Sequence, residues 1–94
     1  GVSEQKTLDL LSMSREKIYE MVKKMILKHT GTDLDDEFGF YAAADYFIID
    51  SKTILVKYAT LIRRISEHFT YMDKLEFTIK AKLEGEELVP VEVS

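Results

Sequence analysis

The chain of 94 residues contains no cysteine and no tryptophan, one proline and four glycines. Absence of cysteine excludes disulfides, thiolate nucleophiles and cysteine-ligated zinc or iron–sulfur sites. It also fits a reducing compartment, and a cytoplasmic location is the expectation. Scarcity of proline and glycine argues against long linkers and collagen-like segments. No apolar run approaches the roughly 20 residues that a membrane-spanning helix needs, so no membrane partner is expected. The opening residues, Gly1 to Lys6, lack the apolar stretch of a signal peptide. Gly1 in place of Met is compatible with a processing scar or with a fragment of a longer protein.

What is present has the composition of one small globular domain, read as residues 1–94 with residues 1–7 a polar lead-in. Apolar residues make up 46% and charged residues 32%, with a formal charge of -4. The charge is unevenly placed. Arg15, Lys17, Lys23, Lys24 and Lys28 lie close together, as do Lys52, Lys57, Arg63 and Arg64, while acids gather at Asp33 to Glu37 and Glu84 to Glu87. Basic clusters on an acidic protein are suited to phosphate or an acidic partner.

The spacing predicts a helix from about Arg15 to His29. Ser14 supplies an N-cap acceptor, Met13 and Ile18 stand where a hydrophobic staple forms, and Gly31 stands where the helix would stop. Ile18, Met21, Val22, Met25, Ile26 and His29 form its apolar stripe. Its methionines are read as core filling in preference to a promiscuous groove. Leu8, Leu10 and Leu11 form a short apolar patch, a candidate third strand.

Thr32 to Gly39 reads as an acidic loop. Phe40 to Ile49 has no clear period; its alanines favour a short or irregular helix, and Tyr46 to Ile49 alone also fits a buried strand. A second helix is expected from about Lys52 to Phe69, capped by Asp50 or Ser51. Ile54, Tyr58, Leu61, Ile62, Ile65 and Phe69 form its stripe. The same residues allow a hairpin across Asp50–Thr53, which the strand-forming run Ile54-Leu55-Val56 supports. After Leu75 the period changes to two through Leu83, Glu84 to Glu87 make a turn, and Leu88 to Val93 form a second strand. Pro90, without a backbone donor, marks that strand as an edge or as bulged. The expected fold is therefore α+β: two main helices packed against a small antiparallel sheet that includes a C-terminal hairpin.

No pattern names a reaction. Asp33, Asp35 and Glu37 alternate like the start of a calcium loop, but Phe38 and Ala44 occupy the positions where glycine and an acidic ligand belong. His29 and His68 are placed at helix C-termini, where a positive imidazole is favoured, and neither has a relay partner at local spacing. No metal ligands, catalytic residues or cofactors are expected.

The order of elements through residues 15–69, ending on Asp50-Ser51 before an expected helix, resembles acyl and peptidyl carrier proteins. That resemblance implies a phosphopantetheine arm on Ser51. The glycine that precedes Asp-Ser in that family is absent here, and Lys52 stands where the family has leucine.

The favoured expectation is a non-enzymatic protein-interaction, regulatory or assembly module with a protein partner or a second copy. A nucleic-acid-binding domain using basic helix faces is the alternative, and the carrier-like domain ranks below it. Candidate contact residues are Lys17, Lys24 and Lys28, Lys57 and Arg64, and Val89 and Val91 on the edge strand.

Overall fold

The computed structural model describes residues 9–36 and 42–94. A single 3-10 turn, Leu10–Ser12, precedes one helix, α1 (Arg15–Thr30), and four strands follow: β1 (Ala42–Asp50), β2 (Thr53–Ile65), β3 (Thr70–Glu84) and β4 (Glu87–Val93). The strands form an antiparallel meander in the order β1-β2-β3-β4. The protein is thus a small α+β domain with one main helix on a four-stranded sheet, in place of the two main helices expected.

α1 forms for the reasons its sequence gives. The Ser14 side chain accepts from the Lys17 N–H, and Glu16 lies in the first turn, where the helix dipole favours negative charge. Gly31 closes the helix in the left-handed region at φ 78°, its N–H donating to the Leu27 carbonyl. Ile18, Met21, Val22, Met25 and Ile26 are buried, so these methionines are core residues. His29 sits in the exposed last turn and is not part of the buried stripe.

The expected helix from Lys52 to Phe69 is instead β2, the β2–β3 turn and nothing helical. Thr53, Ile54, Val56, Thr60, Ile62 and Ile65 are β-branched, which suits a pleated strand and disfavours a helix. The stripe that suggested a helix is explained by a coincidence of periods. Ile54, Tyr58 and Ile62 are four apart, close to one helical turn and also two strand repeats. Val56, at the intervening position, is fully buried, while Lys57 is exposed. The preference for a helix over Phe40–Ile49 fails in the same way, because residues from Ala42 onward are β1; Phe40 and Tyr41 lie outside the described residues.

The N-terminal apolar patch does not supply a strand either. Leu10 is in the 3-10 turn, fully buried, and its N–H donates to the Ser51 carbonyl at 2.9 Å; Leu8 lies outside the described residues. Asp9 accepts from the Leu11 N–H at 2.8 Å and so caps this turn. The C-terminal hairpin follows the sequence expectation. Gly85 supplies the positive φ of its turn, at 64°. β4 is an edge strand, with a register irregularity between Lys80 and Ala81 where Pro90 is paired.

One core lies between α1 and the sheet. The buried helix residues and Leu10 pack on Ile54, Val56, Tyr58, Ile79, Ala81, Leu83 and Leu88, with Ala42, Ala44, Tyr46 and Ile48 at its margin. The other face of the sheet carries Asp45, Phe47, Lys57 and Lys82, all exposed. Lys23 ties α1 to the acidic loop, reaching Glu20 at 2.8 Å and Asp35 at 2.9 Å. The hydrogen bond to Glu20, then that to Asp35, holds its ammonium pKa well above the ordinary lysine value.

Candidate interaction surface

β2 and β3 are much longer than the strands that flank them and than the helix that covers them. The 16 residues of α1 span about 24 Å at the helical rise, whereas the 15 residues of β3 extend for about 50 Å. Among the described residues β1 pairs with β2 as far as Ala42 opposite Thr60, and β4 pairs with β3 as far as Val93 opposite Ile79, with Ser94 bonded to Thr78. Beyond those points Leu61–Ile65 and Thr70–Lys74 pair with each other alone among the described residues. The result is a two-stranded ribbon that projects past the core.

The ribbon is closed by a turn built on Ser66. Its N–H and hydroxyl both donate to the Phe69 carbonyl, at 2.8 and 2.9 Å, and its hydroxyl oxygen accepts from the Phe69 N–H at 3.2 Å. The alternation of faces continues out from the core. Tyr58, Thr60, Ile62 and Arg64 share the helix side of the ribbon with Phe77, Leu75, Asp73 and Tyr71. Tyr58 and Phe77 stack with ring centroids 6.2 Å apart, Arg64 Nε donates to Asp73 Oδ2 at 2.7 Å, and Phe69 leans on Tyr71 at 5.6 Å. On the other side Lys74 and Glu76 form a 2.9 Å ion pair that lowers the Glu76 pKa.

Large apolar side chains on this ribbon are left in solvent: Ile65 is 76% exposed, Phe69 63% and Met72 50%. Such a cluster has no core to serve, since a single exposed apolar residue is commonplace but a concentration at one projecting tip is a contact surface. A two-stranded hairpin is only marginally stable alone in water. Its open edges are also sites for strand addition.

The sequence-selected contact residues do not converge. Lys17 and Lys24 are exposed on α1, and Lys28 lies 4.0 Å from Glu87. Lys57 is on the opposite face of the sheet, its Nζ 5.7 Å from the Phe47 ring. Arg64 is on the ribbon and paired with Asp73. A helix would bring Lys57 and Arg64, seven residues apart, to one face; in a strand their odd separation puts them on opposite faces. Val89 is half-buried and Val91 exposed on the β4 edge. A small cleft of about 130 Å³ between the end of α1 and β4 brings Lys24 and Lys28 near His29, Glu87 and Val89. Ile65 and Phe69, expected in the apolar stripe of a helix, are instead exposed on the ribbon together with Met72. The signal that points to a strand here is the density of β-branched residues from Thr53 to Ile65, followed by the period-two alternation around Leu75.

Ser51 does not cap a helix. With Lys52 it forms the tight turn between β1 and β2, and the carbonyls of Ser51 and Lys52 accept from the N–H groups of Leu10 and Leu83. The Asp50 carboxylate accepts from the Lys52 N–H at 2.9 Å, and this bond, followed by one from the Thr53 hydroxyl, holds its pKa below the ordinary carboxylate value. Asp50-Ser51 is therefore a strand-turn device, and the helix that a carrier protein presents after its serine is absent. His68 likewise lies in the β2–β3 turn, not at a helix end.

Among the described residues no three His, Cys, Asp or Glu side chains cluster as metal ligands, and no buried side-chain polar atom lacks a hydrogen-bond partner. Asp33 and Asp35 of the calcium-like run are used locally: Asp33 accepts from the Asp35 N–H, and Asp35 pairs with Lys23. Glu37 lies outside the described residues. No described helix is long and apolar enough to cross a membrane. No family model, no curated protein and no solved structure matches the chain.

Proposed function

We propose that this protein is a non-enzymatic interaction or assembly module that docks through the β2–β3 ribbon. The observation that carries the reading is the projection of Ile65, Phe69 and Met72 into solvent on strands that, among the described residues, outrun both of their neighbours. The helix and the proximal sheet form a closed core that needs none of these residues, so they are free to serve a contact. The ribbon joins exposed apolar anchors to backbone donors and acceptors, the two ingredients of strand-addition recognition.

Stability measurements on ribbon variants test this. Phe69→Ser and Met72→Ser should each change unfolding free energy by no more than about 0.5 kcal/mol, the ordinary range for surface substitutions. A loss on the scale of a core truncation, about 2 kcal/mol or more, would mean that the tip belongs to a core and would remove the basis for the proposal.

A further inference from the structure

The ribbon reading leaves the partner open, and the edges of the sheet narrow it. Among the described residues four edges are open: β1, β4 and, on the ribbon, the outer sides of β2 from Leu61 to Ile65 and of β3 from Thr70 to Phe77. The first two are blunted. On β1 the Tyr46 N–H is already taken by Asp45 Oδ1 at 2.9 Å. On β4 Pro90 has no N–H to offer, and the register is broken beside it. Of the two ribbon edges, β3 from Thr70 to Phe77 offers a longer ladder than β2 from Leu61 to Ile65, and it carries neither proline nor a register break: its pairing with β2 is continuous from Lys82 to Thr70.

The hydrogen-bonding phase of that edge is fixed. Thr78 and Ser94 exchange both of their backbone bonds at 2.9 Å, so Thr78 faces outward from β2. Strict alternation then turns the N–H and C=O groups of Thr70, Met72, Lys74 and Glu76 toward the same open side. An antiparallel copy of the same strand could meet them. A two-fold axis perpendicular to a sheet places a residue opposite its own copy, so the permitted registers are few.

We infer that β3 pairs with β3 of a second copy of this chain, in an antiparallel register centred on Asp73. This rests on the reading of the ribbon as a docking element and assigns its occupant. In this register Met72 lies opposite the partner's Lys74, and Thr70 lies opposite the partner's Glu76, giving about eight ladder hydrogen bonds by the antiparallel pattern. On the helix side, Tyr71 meets the partner's Leu75, and Phe77 meets the partner's Phe69. Residues exposed at the tip of one ribbon thereby cover the half-open base of the other. The central pair of Asp73 carboxylates is neutralised by the two Arg64 side chains, each already 2.7 Å from its own Asp73.

Neighbouring registers fail on the same geometry. Centring on Lys74 opposes two ammonium groups and drives the partner's Thr70 against Thr78, whose bonds belong to Ser94. Centring on Met72 shortens the ladder and separates Phe69 from Phe77. Seven paired residues per strand bury roughly 1,000 Å² in total, at the lower end of specific interfaces, so the dimer dissociates on dilution.

Absence of cysteine makes the register directly testable. Asp73 is a non-hydrogen-bonded pair across the axis, where Cα atoms lie about 4.5 Å apart, within disulfide reach. Under mild oxidation Asp73→Cys should form a covalent dimer, while Leu75→Cys and Met72→Cys should not. Sedimentation of the cysteine-free protein should give a mass that rises with concentration. Lys74→Pro should abolish that rise yet keep the monomer's circular dichroism, because the Lys74 N–H serves no bond to β2. Hydrogen exchange should show the Met72, Lys74 and Glu76 amides protected only at high concentration. A strict monomer whose edge amides exchange fast at every concentration overturns self-pairing and leaves the ribbon open to another partner. Protection of those amides in a strict monomer overturns both the self-pairing and the docking role. Cross-linking at position 75 or 72 in preference to 73 overturns the inferred register.

Discussion

The replacement of an expected helix by β2 makes a sharp energetic prediction at two isoleucines. On a helix Ile54 and Ile65 would lie on one stripe, eleven residues apart, and their truncation would cost similar amounts. In the strand they have opposite parity and opposite environments: Ile54 is 0% exposed and Ile65 is 76% exposed. Ile54→Ala removes side-chain carbons worth about 2.4 kcal/mol in transfer alone at ~0.8 kcal/mol per methylene. The contacts with α1 and with Val56, Ile79 and Ala81 hold the walls apart, so a cavity term raises the loss to about 3–4 kcal/mol. A domain of this size has a total stability of roughly 5–14 kcal/mol. The variant should therefore lose a large part of it, with Tm lower by about 12–32 °C. Ile65→Ala should change stability by no more than about 0.5 kcal/mol. Urea denaturation followed by circular dichroism, at protein concentrations low enough to keep the chain monomeric, reads both values with an unchanged slope. Equal losses at the two positions, or a larger loss at Ile65, would refute the strand assignment and the core built on it.

Other expectations concern the helix ends and turns. Ser14→Ala removes the acceptor for the Lys17 N–H and should cost about 1 kcal/mol in the same assay. Gly31→Ala and Gly85→Ala should each destabilise by about 1–2 kcal/mol through backbone conformation alone, since each glycine has positive φ and open space where a Cβ would stand. The Asp50 carboxyl should titrate below the ordinary carboxylate range in an NMR pH series, because the Lys52 N–H and Thr53 hydroxyl favour its charged form. The sign follows from linkage: a depressed folded pKa contributes stability that is complete above the unfolded pKa and is lost as pH falls through the folded value. Asp50→Asn should therefore flatten the acid limb of stability against pH, and an unchanged limb would count against the bond.

Parts of this fold are legible because their determinants are local. Ser14, Glu16 and Gly31 bracket α1 by hydrogen bonding and backbone conformation within a few residues. The alternation from Leu75 to Leu83, Gly85 and Pro90 specify an antiparallel hairpin with an edge strand in the same way. The candidate contact surface was only half visible. Val89 and Val91 do lie on a sheet edge, as their alternation implies, but β4 is the edge that Pro90 protects. The ribbon is invisible to a helical pattern over residues 52–69, because its strands and its exposed tip come from that stretch and from residues just after it.

By itself, then, the sequence determined the first helix, the C-terminal hairpin, the absence of thiol chemistry and the uneven placement of charge. Tertiary structure alone decided the form of residues 42–69. Ile54, Tyr58 and Ile62 satisfy a period of four that a helix and a strand share, and the β-branched residues of their window bias the choice toward a strand without deciding it. What separates them is a partner far along the chain: Ile79 and Ala81 lie beside Val56 and Ile54, and α1 covers all four. A strand's hydrogen bonds are made to another strand, whereas a helix makes its own. The choice was therefore fixed only when the whole sheet came together.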